Sequence, residues 1–239
     1  KLFKYDNAIY VDFIKSIQLN RVGFELTDPI ISLGSSEQLK ISFDDISNEL
    51  KTFNFTIIHC NSSWEPSGIF QQDYLLGFTD DYFRTYRYSF NTTKKFIHHE
   101  AVFPNDNVNI TKSGNYILKV YQDYDPEKII LSRRFMVLDN KVIIDPWIKR
   151  PTQVEFRNSK QEIDFTIDHS GINIPNPLGD VNVVVLQNGR WDNAILGLQP
   201  TFIQDQKLIY DYDDKNLFDG GNEFRDFDFR SLRLATQNI

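Results

Sequence analysis

Apolar residues in this sequence recur at every second position, β-branched and aromatic types dominate those runs, and Gly, Pro, Asn and Asp fill the gaps between them. Together these features predict an all-β chain built from tandem β-sandwich domains. Its 239 residues leave room for two domains at ~100–150 residues each. With 41% hydrophobic and 14% aromatic residues, the chain carries far too much apolar surface to stay unfolded.

In the first domain, expected over residues 1–139, the alternation places strands at Ile14 to Leu19, Leu39 to Phe43, Phe53 to His59, Thr85 to Phe90, Glu100 to Phe103, Asn115 to Tyr121 and Ile129 to Leu138. Asp28-Pro29, Glu65-Pro66, Pro104-Asn105, Ser113-Gly114 and Asp125-Pro126 supply the turns, because Pro fixes φ while Gly, Asn and Asp tolerate left-handed backbone. Seven short strands so punctuated suggest one sandwich. In the run that opens at Ser113-Gly114, Tyr116, Leu118 and Val120 fall on one face and Ile117, Lys119 and Tyr121 on the other. A Tyr at that place in an immunoglobulin-like or fibronectin-like sandwich can bury its ring while its hydroxyl bonds back to a corner. Trp64 is expected to plug the core.

From Asp139 to Arg150 the alternation lapses, with Asp145-Pro146 and Arg150-Pro151 as breakers, and a second sandwich domain is expected over residues 140–239. Its strands are placed at Thr152 to Phe156, Glu162 to Asp168, Val181 to Gln187, Lys207 to Tyr212 and Phe224 to Leu234. Asn188-Gly189 after Val183-Val-Val-Leu-Gln187 is a strong hairpin signal. So few strands would leave that domain incomplete on its C-terminal side, and the native protein is expected to continue past Ile239. Lys1, without an initiator Met, suggests a processed or trimmed chain.

A net charge of −7 argues against a broad footprint for nucleic acid or anionic lipid. Cys60 is the single cysteine, so no intrachain disulfide, CxxC pair or multi-cysteine metal site exists, and its apolar surroundings suggest a small buried hydrophobe. The longest aliphatic run, Val183 to Leu186, falls far short of the ~18 residues a membrane helix needs. Four N-x-S/T triplets start at Asn54, Asn61, Asn91 and Asn109, where roughly two are expected by chance, and Asn54 sits in an apolar strand where a glycan would not fit.

No catalytic, cofactor or metal residue emerges. His98-His99 beside Glu100 invites a metal reading, but adjacent strand residues point to opposite faces, and a solvated pair at a strand start is expected. The acidic run Asp211 to Gly221 lacks the EF-hand offsets and reads as a solvated turn. Asp44-Asp45 and Asp80-Asp81 read as caps or turn formers, and neither GxSxG nor a phosphate-binding glycine loop is present. A triad assembled from distant Ser, His and Asp stays open. The aromatic cluster that includes Tyr74, Phe78, Tyr82, Phe83, Tyr86, Tyr88 and Phe90 is the surface candidate, as a carbohydrate-stacking platform or a protein interface, with half or more of it core.

Tyr5-Asp-Asn7, Ile14-Lys-Ser-Ile-Gln-Leu19, Leu39-Lys-Ile-Ser-Phe-Asp-Asp45, Phe55-Thr-Ile-Ile-His-Cys-Asn61 with Trp64, and Tyr88-Ser-Phe-Asn-Thr92 resemble successive blocks of the type IX secretion system plug protein family. Lys112-Ser-Gly-Asn-Tyr116 and Ser132-Arg-Arg-Phe-Met-Val137 continue the order, and Val183 to Asn193 and Phe227-Asp-Phe-Arg-Ser231 resemble its second part. The resemblance implies a non-enzymatic periplasmic protein of Bacteroidetes-type bacteria that sits at the mouth of a giant outer-membrane β-barrel translocon and occludes its pore. It needs no cofactor. The residues expected to meet that partner are Tyr74, Phe78, Tyr82, Tyr86 and Trp191, aromatic side chains that follow turn residues. A carbohydrate-binding or adhesive module of the bacterial envelope is the alternative.

Overall fold

The structure, a computed structural model, describes residues 2–47 and 49–220. The chain divides into two compact units, Lys1–Asn140 and Lys141–Ile239. Both are all-β with several sheets. Among the described residues no helix is long and apolar enough to cross a membrane.

The first unit runs β1 (Ala8–Ile9), β2 (Ile14–Arg21), β3 (Ile30–Ser32), β4 (Leu39–Asp45), β5 (Phe53–Cys60), a helical turn α1 (Gln71–Tyr74), β6 (Leu75–Gly77), β7 (Asp80–Tyr82), β8 (Thr85–Tyr88), β9 (Ile97–Phe103), β10 (Val108–Ile110), β11 (Gly114–Gln122) and β12 (Asp125–Leu138). One sheet has the order β1-β12-β11-β5-β7 with β3 pairing parallel to β12, a second has the order β2-β4-β9-β8, and β10 pairs with β6. The two large sheets share one core. Phe43 of β4 meets Phe53 of β5 edge-on at 5.1 Å, and Phe103 of β9 lies 5.6 Å from Phe55 and 5.2 Å from Phe135. These rings are fully buried, and each contributes roughly 1.5–3 kcal/mol through the apolar area it removes from water.

Period two explains the central strand. Tyr116, Leu118 and Val120 enter the shared core, while Ile117 is buried on the opposite face. The Tyr116 ring stacks on Phe135 at 5.2 Å, and its hydroxyl donates to the Lys112 carbonyl at 2.7 Å. Trp64 is buried, with the Arg134 guanidinium 4.5 Å over its ring. Asp125-Pro126, expected as a turn, opens β12 instead. The turn is Asp123-Tyr124, where φ is 57° and 59° and Gln122 pairs with Asp125, a two-residue left-handed hairpin loop made without glycine.

The second unit runs β13 (Ile143–Lys149), β14 (Lys160–Asp168), a helical turn α2 (Pro177–Asp180), β15 (Val184–Gln187), β16 (Arg190–Leu196), β17 (Phe202–Gln204), β18 (Lys207–Tyr210) and β19 (Leu217–Asp219). Its main sheet has the order β13-β14-β18-β17, with β19 also on β14, and β15-β16 form a hairpin. Asn188 and Gly189 close that hairpin at φ 55° and 68°. The core is small, with Phe165 stacked on Tyr210 at 4.5 Å above Ile167, Leu198 and Leu208.

Two expectations fail in this unit. The lapse in alternation near Asp145-Pro146 is a strand, β13. Among the described residues it lies at a sheet edge and pairs with β14, the place in a sheet where a Pro is tolerated. The strand expected at Thr152 to Phe156 is a 3₁₀ turn over Val154–Phe156, because the Thr152 amide and hydroxyl bond to the Glu162 carboxylate at 2.6 and 3.2 Å and the Phe156 amide bonds to Gln153. The expected strand at Phe224 to Leu234 lies outside the described residues.

Candidate functional site

The sequence points to the aromatic stretch around β6 to β8, and the structure divides it. Tyr74 is a correction: it is 2% exposed, its hydroxyl donates to the Ile57 carbonyl at 3.1 Å, and its ring lies 5.9 Å from Tyr116. A residue so placed holds the core and is closed to a partner. Phe78, Tyr82 and Tyr86 are exposed, as are Tyr88 and Phe90. Trp191 is half-buried on β16, next to the exposed Arg190–Asp192 pair.

Between Tyr82 and Thr85 the chain passes from one sheet to the other. Phe83 turns into the core, and its neighbours Tyr82 and Arg84 face outward. Asp81, on the inner side of β7, accepts from Arg84 through both oxygens at 2.6 and 3.0 Å, from the Tyr82 amide at 2.9 Å and from Asn105 at 3.1 Å. Burial works against the Asp81 anion, but these bonds outweigh it and hold the carboxyl below the usual range. The Arg84 guanidinium also lies 4.0 Å over the Tyr82 ring.

Beside this network lies a cavity of about 480 Å³ bounded by Leu50 to Thr52, Tyr82 to Arg84, Tyr86, His99 and Tyr124. His98 and His99 do point to opposite faces, but they are not a solvated pair. His98 is held between Asp44 at 2.6 Å and Glu100 at 3.2 Å. His99 is 2% exposed, stacked 5.4 Å from Phe43 and edge-on to Phe53 at 4.9 Å. Burial pushes its pKa down to about 4, so the ring is neutral at pH 7. Cys60 is buried, and desolvation lifts its thiol to about 11, which removes it as a nucleophile near neutral pH.

In the second unit Glu162, Asp164 and Asp211 bring carboxylate oxygens together in the geometry of a cation site. The cation is already supplied by the protein: Lys149 Nζ stands 2.5 Å from Asp164, 3.1 Å from Glu162 and 3.6 Å from Asp211. The bond to Asp164 chiefly, with Glu162 adding to it against the cost of desolvation, raises the Lys149 pKa. Asn216 donates to Asp164 at 2.9 Å. Of the run Asp211 to Gly221, Asp211 and Asn216 take part in this cluster.

Sequence reasoning missed Lys51 and Tyr124 and read the buried His99 as solvated. The alternation Ile97, His99, Ala101, Phe103 already puts His99 on the inward face, whereas nothing local marks Tyr124, whose loop lacks the Gly or Asn that announces such a turn.

No curated protein matches the chain. A crystal structure of a hypothetical protein from Parabacteroides merdae ATCC 43184 superposes on it with a TM-score of 0.90 and 29% identity, over 98% of this chain and 59% of that one. The chain therefore spans less than two thirds of that relative. A structure of the Pseudomonas fluorescens alkylpurine DNA glycosylase AlkC, bound to DNA containing an abasic site analog, aligns over 52% of this chain and 29% of that one at 13% identity. Its TM-score is 0.28, too low to carry an argument. The family model described as the type 9 secretion system plug protein 1st domain matches residues 14–139, more than half of the chain and nearly all of the first unit, and by that match the protein belongs to the type 9 secretion system plug protein family.

Proposed function

We propose that this chain is part of a non-enzymatic plug: a β body that seats at the periplasmic mouth of the giant outer-membrane translocon of the type IX secretion system and closes its pore when no cargo passes. The observation that carries this reading is the family match over residues 14–139. The chemistry supports it. The Asp81 carboxylate is committed to Arg84, the Glu162 and Asp164 carboxylates to Lys149, and the Cys60 thiol to the interior. Sealing a channel requires shape and a rim of contacts.

We assign the domains, residues 1–139 and 140–239, to immunoglobulin-like or fibronectin-like sandwiches, a reading favoured in the first by the Tyr116 hydroxyl on the Lys112 carbonyl. Phe78, Tyr82, Tyr86 and Trp191 are the residues we carry forward as translocon contacts. Tagged full-length protein is expected to recover the barrel from detergent-solubilised outer membranes, and deletion of its gene to admit large antibiotics through the outer membrane. Failure of both, with secretion competent, overturns the assignment.

A further inference from the structure

The cavity of about 480 Å³ beside β8 falls in the ~300–1,000 Å³ range of small-molecule sites. Its walls carry Tyr82, Tyr86 and Tyr124, exposed by 42%, 44% and 66%. Tyr124 is held there at a cost. It and Asp123 adopt left-handed backbone, which Gly, Asn and Asp tolerate and a tyrosine seldom takes, and the turn is pinned by Asp123 N–H on the Thr52 carbonyl at 3.0 Å and Tyr124 N–H on the buried Asn54 carboxamide at 3.2 Å. His99 borders it, nine-tenths buried and more, with its ring packed on Phe43 and Phe53.

Charge narrows the ligand. Lys51 faces Asp45 at 3.5 Å and Glu49 at 3.8 Å, and Arg84 is bidentate on Asp81, so both cations at the rim are already balanced. A free anion would find no net field to draw it in. A purely apolar ligand would strip water from the Lys51 and Arg84 ion pairs and return no hydrogen bond. Aromatic faces combined with balanced polar groups suit a molecule with an apolar face and a hydroxylated edge.

We propose that this cavity binds a neutral pyranose residue of a glycan, its C–H face against Tyr86 and Tyr124 and its hydroxyls reaching Lys51 and Arg84. The site goes beyond the plug role and stands or falls separately from it.

The test is NMR of the whole 239-residue chain titrated with maltotriose, cellotriose and triacetylchitotriose. At least one trisaccharide is expected to shift the Tyr82, Tyr86, Tyr124 and His99 ring resonances, with Tyr86→Ala and Tyr124→Ala each weakening binding about tenfold, the worth of one aromatic contact. Tyr86 is an exposed edge-strand residue, so its replacement leaves the core intact. The wild-type titration decides the matter even if the Tyr124 variant misfolds. No perturbation by any of the three at about 10 mM, well above a millimolar Kd, overturns the proposal. So does undiminished binding by the Tyr86 variant, or tighter binding of a uronic acid trimer. Recovery of the translocon barrel reads the plug role independently of all these outcomes.

Discussion

His99 makes the folded first unit acid-sensitive by an amount that can be worked out. Unfolded, an imidazole titrates near 6.5. Folded, between Phe43 and Phe53 and 2% exposed, His99 titrates at about 4, because burial disfavours the imidazolium more than the nearby Asp45 favours it. Between those values the unfolded chain binds the proton and the native one does not, so stability is fully present above ~6.5 and is lost as pH falls toward ~4. The whole window is worth about 3 kcal/mol, and at pH 5 the loss is about 2 kcal/mol. Substitution His99→Phe keeps the ring and removes the titration. In urea unfolding at pH 7.5 and pH 5, followed by circular dichroism and by an amide reporter in β9 so that the two units are not confounded, wild type is expected to lose about 2 kcal/mol more than the variant on acidification. At pH 7.5 the variant is expected to hold within ~1 kcal/mol of wild type, since Nε2 has no partner to forfeit. Equal acid losses in the two proteins, or a His99 ring that titrates near 6.5 in the folded state, would refute the reasoning.

The remaining predictions are read as stability or reactivity. Tyr116→Phe keeps the stacked ring and deletes only the hydroxyl on the Lys112 carbonyl, so urea denaturation should show a loss of about 1 kcal/mol, with more than ~3 kcal/mol counting against a single hydrogen bond. Lys149→Met strands the buried Glu162 and Asp164, so unfolding should show a loss of about 3 kcal/mol in the second unit. Millimolar calcium should raise the melting temperature of that variant and leave wild type unmoved. Cys60 should resist a thiol-reactive disulfide reagent at pH 8 until urea unfolds the first unit, since burial holds its thiol at about 11; prompt labelling of native protein would contradict this.

What the sequence disclosed and what it hid follow one physical line. Where period-two alternation and turn chemistry act locally, the fold was legible: β4, β5 and β11 sit within two residues of their expected bounds, and Asn188-Gly189 closes the hairpin it announces. Where a rule holds only on condition, it misled. Pro146 reads as a breaker, yet it sits in β13, which among the described residues is an edge strand, where Pro is tolerated. Thr152 to Phe156 has strand composition, but the Glu162 carboxylate, reached only through the fold, takes the Thr152 amide and leaves a turn. Tyr74 reads as exposed because it follows turn residues, whereas the four-residue helical turn α1 breaks the two-residue period and swings it inward.

The cavity was hidden for a related reason, since its parts come from four separate segments: the lead into β5, the β7–β8 link, β9 and the β11–β12 turn. Each part nevertheless obeys a local rule. The alternation that buries Phe83 obliges Tyr82 and Arg84 to face out, and the one that buries Ile97 and Phe103 obliges His99 to face in. What alternation does not require is the left-handed turn at Asp123-Tyr124: an Asn-Gly pair would close the same hairpin with less strain. Core formation therefore accounts for Tyr82, Arg84 and His99, and leaves Tyr124 unexplained by folding alone. That separation bears on the interpretation of a Tyr124→Gly variant. Relief of backbone strain should make it at least as stable as wild type, so a loss of trisaccharide binding in a more stable protein would assign the tyrosine to the ligand and not to the fold.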